Sequence, residues 1–278
     1  MLPNKHRLAG APQAGAQDVG VRKLTFDQPG AEDGRRDVPD EVPVEIVFPP
    51  LPLAVMMLTP CDLEDFAYGF SFTEGVIAAA ADIRDVRLET VEAGLRLNVT
   101  LASEKLTQHL GRRRVLAGRT GCGLCGIEDL SQLPQVAPVV TSQGQPLARA
   151  AIKRALLQLS SLQPLNAATH GVHAAALANA DGQLLLVRED VGRHNALDKL
   201  IGAALRVGLA PGDGFVLISS RASYEMVEKT ARFGARALVA ISAPTSLAIA
   251  RASHYGIGLL AIARHDTATV FAHAAMFS

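Results

Sequence analysis

A surplus of charge is missing from this sequence: its 278 residues carry 27 Lys+Arg against 27 Asp+Glu. Non-specific nucleic-acid binding needs an excess of cations to neutralise phosphates, so no nucleic-acid partner is predicted. Long apolar runs are missing too. Hydrophobic residues make up 49% of the chain, enough for a substantial core, yet no run reaches the roughly 18 residues of a membrane helix. The longest candidate, "FPPLPLAVMML", is broken by prolines, and no membrane partner is predicted. "MLPNKHRLAGAPQAGAQDVG" at the start lacks the apolar region of a secretory signal. Three cysteines, two of them close together, do not make a disulfide framework. They predict a reducing compartment and a reactive or metal-binding pair. Neither G-x-G-x-x-G nor G-x-x-x-x-G-K-[ST] occurs, which leaves no Rossmann fingerprint and no P-loop.

What is present reads as about two domains. Residues 1–40, rich in Gly, Ala, Gln, Asp and Arg without periodicity, predict a flexible tail. Residues 41–140 read as a small α+β domain and 141–278 as an α/β/α domain. "VPVEIVF" and "LAVMML" predict paired strands. In "TPCDLEDFAYGFSFTEG" Thr59 is the expected N-cap, Pro60 the first helical residue and Asp62 the capping-box acid. Leu63, Phe66, Ala67 and Phe70 give that helix one apolar face, and Gly75 can end it. The acids Asp62, Glu64 and Asp65 suit a helix start. "GLRLNVTLA" alternates as a half-buried strand with "RDVRLET" as its partner, and a short helix is expected over 103–110. "PLARAAIKRALLQLSSL" reads as an amphipathic helix. A hairpin turning at Asp181–Gly182 follows, then helices alternating with buried strands, a pattern that implies parallel pairing with helices on both faces.

Three helix starts follow strands: "REDVGRHN", "SSRAS" and "SAPTS". At the carboxyl ends of parallel strands such segments gather free N–H groups that attract anions. Arg188, Arg193 and Arg221 add charge suited to gripping phosphate. Ser219, Ser220, Ser223, Thr245 and Ser246 can cap helices or bond phosphate oxygens. With Asp190 and Asp198 nearby, the set predicts a nucleotide-like ligand. His170, His173 and His194 are candidate acid–base groups or metal ligands, but "THGVHAA" lacks the glutamate of a zincin helix and the H-x-E of zinc deaminases.

"RTGCGLCGIE" holds the pair Cys122 and Cys125. Structural zinc needs four ligands, and two further cysteines are not available; no zinc is predicted. Thioredoxin-type chemistry puts C-x-x-C at a helix start, whereas Gly121, Gly123 and Gly126 argue for a loop. A nucleophilic thiol that carries sulfur wants reach and a lowered pKa, and Arg112, Arg113, Arg114 and Arg119 lie just upstream. The residues alone leave oxidoreductase and sulfur carrier both open.

"TPCDLEDFAYGFSFTEGVI", "GCGLCG", "THGVHAAAL", "REDVGRHNALDKLIG", "SSRASYEMVEKTARFG" and "SAPTSLAIARA" occur in that order. Together they closely resemble the formate dehydrogenase accessory proteins of the FdhD type, from about residue 40 to the end. The resemblance implies a cytoplasmic, usually dimeric sulfur carrier with a cytidine-deaminase-like three-layer α/β/α domain. It implies that a cysteine desulfurase loads a persulfide on Cys122, with Cys125 auxiliary. The sulfur goes to the molybdenum cofactor, a bis-molybdopterin guanine dinucleotide, before that cofactor enters formate dehydrogenase. GDP would mimic its nucleotide part. The stretch Ile262, Ala263, Arg264, His265, Asp266 and Thr267 matches the family's cofactor-contacting segment, and Arg193, Arg221 and Ser219 join it from the helix starts. This sequence departs from the family pattern at Cys61, His170 and Ser220, where glycines are common, and in "ARHDTATVF". A nucleotide-modifying enzyme on a deaminase-like fold, a nucleotide-binding dithiol oxidoreductase and a cofactor chaperone without sulfur transfer are the alternatives.

Overall fold

The computed structural model describes residues 14–27, 30–102 and 144–278. Both loop cysteines, the arginine run and the short helix expected over 103–110 lie outside the described residues. Among the described residues three sheets are formed. Ala16–Leu24 (β1) and Ala31–Pro39 (β2) pair as an antiparallel hairpin, where the composition predicts a flexible tail. Ion pairs Arg22–Asp33 and Arg35–Asp18 cross the hairpin on its exposed surface. Its base is closed by the Asp40 N–H donating to Gly15 O. Periodicity failed to reveal the ribbon because neither strand has a buried face: cross-strand pairing holds it, with its base resting on the segment Pro164–Thr169.

Val42–Phe48 (β3) and Leu51–Leu58 (β4) form the expected hairpin across Pro49–Pro50, which are joined by a cis peptide. Ile83–Val91 (β5) and Gly94–Leu101 (β6) complete a sheet of order β4-β3-β6-β5. Its inner face, with Val44, Ile46, Phe48, Leu97 and Val99, packs on Leu63, Phe66, Ala67 and Phe70 of the helix Leu63–Thr73 (α1). The apolar spacing of α1 is thus used as predicted, but its start is not. Asp62 occupies the N-cap in a left-handed conformation with no side-chain cap, and Thr59 caps nothing on this helix. Gly75, just past the end, has a φ of 75° that suits glycine.

The larger sheet has the order β12-β11-β10-β9-β7-β8. Its strands are His173–Ala178 (β7), Leu184–Asp190 (β8), Phe215–Ile218 (β9), Ala237–Ala240 (β10), Gly258–Ala261 (β11) and Thr269–Ala272 (β12). Parallel pairing holds for β9, β10 and β11; β7, β8 and β12 run antiparallel to their neighbours. The sheet is therefore mixed. Period-two alternation splits its side chains between two cores. Ala175, Leu177, Val216, Ile218, Leu238 and Ala240 face Arg193–Arg206 (α4), Tyr224–Phe233 (α5) and Ser246–Tyr255 (α6). Ala174, Ala176, Phe215, Leu217, Ala237 and Val239 face Arg149–Leu159 (α2). Pro164–Thr169 (α3) leads into β7. Helices cover both faces, as the alternating pattern predicts.

The two units meet where α1 crosses α4 antiparallel. Asp65, Gly69 and Thr73 sit at i, i+4, i+8 on α1 and oppose Arg206, Gly202 and Asp198 on α4. Arg206 donates to Asp65, and Thr73 Oγ1 donates to Asp198 Oδ1 at 2.7 Å. Between them the glycines meet backbone to backbone: a Cβ on Gly69 would overlap the carbonyl of Asp198, and one on Gly202 that of Asp65.

Candidate functional site

Because β9, β10 and β11 are parallel, the segments after them emerge at one end of the sheet. β7 is antiparallel to β9, so it begins at that same end, and β8 finishes there beside it. Five segments therefore converge: His173, Asp190–His194, Ser219–Glu225, Ser242–Thr245 and Ile262–Thr267. Backbone bonds stitch them together. Ser219 N–H donates to Ala174 O at 2.9 Å, Thr245 N–H to Ala222 O at 3.0 Å, and Ile262 N–H to Ser242 O at 3.1 Å. The starts of α4, α5 and α6 all open onto this edge and bring free N–H groups and the positive ends of their dipoles.

The residues expected to bind a ligand divide sharply. Arg193 stands at the first turn of α4 with its Nε buried and, among the described residues, without a hydrogen-bond partner. Arg221 is exposed on the β9–α5 segment. Ser219 Oγ accepts the Ala174 N–H at 2.9 Å, which ties β7 to the edge. In the β11–β12 segment Ile262 is exposed at a φ of 52°, an uncommon conformation for a β-branched residue. Ala263 is buried. Arg264 donates from Nη1 to Ile241 O and to Ala263 O, and its N–H closes a turn onto Thr267 O at 2.7 Å. His265, Asp266 and Thr267 are exposed at the rim.

Other expectations need correction. Arg188 does not face the edge: it grips Asp65 at 2.8 Å and lies 3.6 Å from Asp62. Asp62, Glu64 and Asp65 are thus more than helix-start acids, since Arg206 also holds Glu64 at 2.6 Å. Asp198 lies in a buried pair with Lys229 at 2.8 Å. Asp190 is fully buried 2.6 Å from an equally buried Lys199. Its carboxylate also accepts from Thr59 N–H, Gly192 N–H and Asn195 Nδ2, while Lys199 donates to Thr59 O at 2.9 Å. Thr59 Oγ1, the expected N-cap, accepts the Val191 N–H instead. Much of "EDVGRHNALDK" is therefore a clamp that reads the backbone of Thr59 and joins the two units, rather than ligand contact. His170 is exposed at the left-handed end of α3. Cys61 is half-buried, and burial pushes its thiol pKa up, the opposite of a nucleophile's need. Thr245 caps α6 through the Ala248 N–H at 3.2 Å.

Sequence reasoning missed Glu225. It accepts from His194 Nε2 at 3.2 Å and from Ser223 Oγ at 2.9 Å. Burial pushes its pKa up, but the bond from His194, that ring's charge, the Ser223 bond and the charge of Arg193 together hold it below the usual glutamate value. Burial lowers His173, helped by Arg193 and His194 and opposed by Asp190. An acid in the first turn of a helix reads as a dipole partner, so only the fold exposes the pairing with α4. Among the described residues, no group of three or more His, Cys, Asp or Glu is placed to hold a metal ion. Also among them, no helix is long and apolar enough to cross a membrane.

Strand ends, helix starts and arginines on one edge define a mixed α/β protein whose helix starts gather at the carboxyl end of its parallel strands. The chain belongs to the FdhD/NarQ family, whose sequence pattern matches residues 39–277. It is 46% identical over 258 residues to the sulfur carrier protein FdhD of Bordetella bronchiseptica, covering 92% of each chain. It is 48% identical over 237 residues to that of Cupriavidus necator, covering 85% of this chain and 82% of the relative. Among solved structures it is similar to a chain described as a formate dehydrogenase accessory protein from Desulfotalea psychrophila. That match has a TM-score of 0.72 at 26% identity and covers 95% of this chain and 99% of the other.

Proposed function

We propose that this protein is a sulfur carrier for formate dehydrogenase. It takes sulfur from a cysteine desulfurase and passes it to the bis-molybdopterin guanine dinucleotide form of the molybdenum cofactor. The observation that carries this reading is the family membership, with relatives named sulfur carriers at 46–48% identity over nearly the whole chain. Residues 41–140 supply the sulfur-bearing thiol, and residues 141–278, with a cytidine-deaminase-like layering, supply the cleft for the cofactor's nucleotide part. In the loading step the Cys122 thiolate attacks the outer sulfur of the desulfurase persulfide. The donor S–S bond breaks, the donor cysteine leaves as a thiolate, and Cys122 holds the sulfur as a persulfide. Cys125 is auxiliary. The cofactor is cargo: its phosphates suit the N–H groups at the α4–α6 starts with Arg193 and Arg221, and the rim from Ile262 to Thr267 suits its heterocycle. The carrier acts in the cytoplasm as a homodimer.

Intact-mass spectrometry after incubation with a cysteine desulfurase and cysteine tests the central claim. The expected result is a gain of one sulfur atom by wild type and by Cys125→Ser, in part or whole, and none by Cys122→Ser. Cys61→Ser behaves as wild type. Loading of Cys122→Ser with none on Cys125→Ser overturns the assignment.

A further inference from the structure

His194 and Glu225 lie in the first turns of different helices, meet at this edge of the sheet, and take no part in the clamp between the two units. Glu225 is held as a carboxylate, and a carboxylate only accepts hydrogen bonds. His194 Nε2, 3.2 Å from Glu225 Oε2, is therefore the protonated nitrogen of the pair. Ser223 Oγ donates to the same carboxylate oxygen at 2.9 Å. The ring is thus oriented, as hydrogen-bonded carboxylates orient catalytic and metal-binding imidazoles. Its Nδ1 has no protein hydrogen-bond partner among the described residues. The side chain is 17% exposed, enough for a ligand to reach. The charged and titratable groups facing it are Glu225 on α5, its neighbour Arg193, His173 on β7 and Asp190 at the end of β8; Asp190 is already neutralised by Lys199. Arg193, one residue earlier, adds a buried Nε donor without a partner among the described residues.

We propose that His194, positioned by Glu225, is a phosphate-binding residue of the cleft: Nε2–H donates to Glu225 while Nδ1–H donates to a phosphate oxygen of the bound nucleotide. Arg193 binds the same phosphate. In the complex the ring is doubly hydrogen-bonded and bridges carboxylate and phosphate, so the negative charge of Glu225 supports the anion site through the imidazolium rather than repelling the ligand. This assignment rests on the nucleotide-binding reading of the cleft.

Two amides separate the ring's two nitrogens. The amide nitrogen of Asn approximates Nδ1, and that of Gln approximates Nε2. GDP is titrated calorimetrically into wild type, His194→Gln and His194→Asn, and the melting temperature of each unliganded protein is recorded. His194→Gln is expected to keep the contact with Glu225 and the melting temperature but to bind GDP about tenfold more weakly, the value of one hydrogen bond of about 1.4 kcal/mol. His194→Asn is expected to melt lower yet to bind within a few-fold of wild type. In wild type labelled with nitrogen-15 at histidine, the His194 Nδ1 signal moves to the protonated range on adding GDP. Unchanged GDP affinity in His194→Gln with an unmoved Nδ1 signal overturns the assignment while leaving the nucleotide cleft intact. Absence of GDP binding by wild type overturns both.

Discussion

Replacing Lys199 by methionine removes one half of the clamp while keeping most of the side chain's volume. Lys199 and Asp190 are both fully buried and 2.6 Å apart. Breaking a buried ion pair from one side typically costs about 3–5 kcal/mol, because the remaining charge stays desolvated. Asp190 keeps three donors, from Thr59, Gly192 and Asn195, so the lower end applies, about 3 kcal/mol. At a urea slope of about 3 kcal/mol per M the unfolding midpoint falls by about 1 M. Adding Asp190→Asn removes the stranded charge, and the double variant is expected to be more stable than Lys199→Met alone. Hydrogen exchange supplies the local readout: the amides of Thr59 and Val191, which close the clamp, lose protection before those of β9 and β10. A midpoint for Lys199→Met within about 0.2 M of wild type, with both amides still protected, refutes the idea that the clamp contributes to the fold.

Gly69→Ala drives a methyl into the carbonyl of Asp198 and is expected to cost at least the 1–3 kcal/mol typical of overpacking, read as a lowered unfolding midpoint. Arg221→Ala is expected to weaken GDP binding by about 1.5–3 kcal/mol if the guanidinium bonds phosphate, with the melting temperature of the free protein unchanged because Arg221 is exposed; calorimetry decides. His173 has its pKa lowered by burial, so the unfolded chain binds the extra proton first. Stability therefore falls as pH drops below the ordinary histidine value of about 6.5. His173→Gln is expected to flatten that part of the pH–stability curve, and an unchanged slope counts against the assignment.

The elements with one apolar face were legible in the sequence, because water imposes their period: β6 alternates and α1 repeats Leu63, Phe66, Ala67 and Phe70. The hairpin β1–β2 was not, because a ribbon without a buried face leaves no hydrophobic signature. Nor was the clamp. Asn195, Lys199 and Gly202 form a polar stripe along α4, and such a stripe reads as facing solvent. Here it faces α1 and Thr59, and only tertiary contact turns a lysine among leucines into a buried partner. Strand–helix order alone put the helix starts, with Arg193, at the end of the sheet where the parallel strands finish. Arg188 was not, because its partner Asp65 is 123 residues away and no local pattern links them.

The crossing of α1 and α4 has a mechanical consequence. Packed helices usually move relative to one another by sliding, since ridges ride along grooves at low cost. Here a slide of one turn, about 5.4 Å, would carry the charges of Asp65 and Asp198 toward the bare glycines and away from their partners. The glycine contact, tighter than any side chain allows, would have to open before the helices moved. Shear is therefore the expensive motion at this boundary. Two units that look separable in outline are coupled as one cooperative body, and a fragment cut near residue 140 would carry away α4 with its glycine face bare and its lysine uncovered.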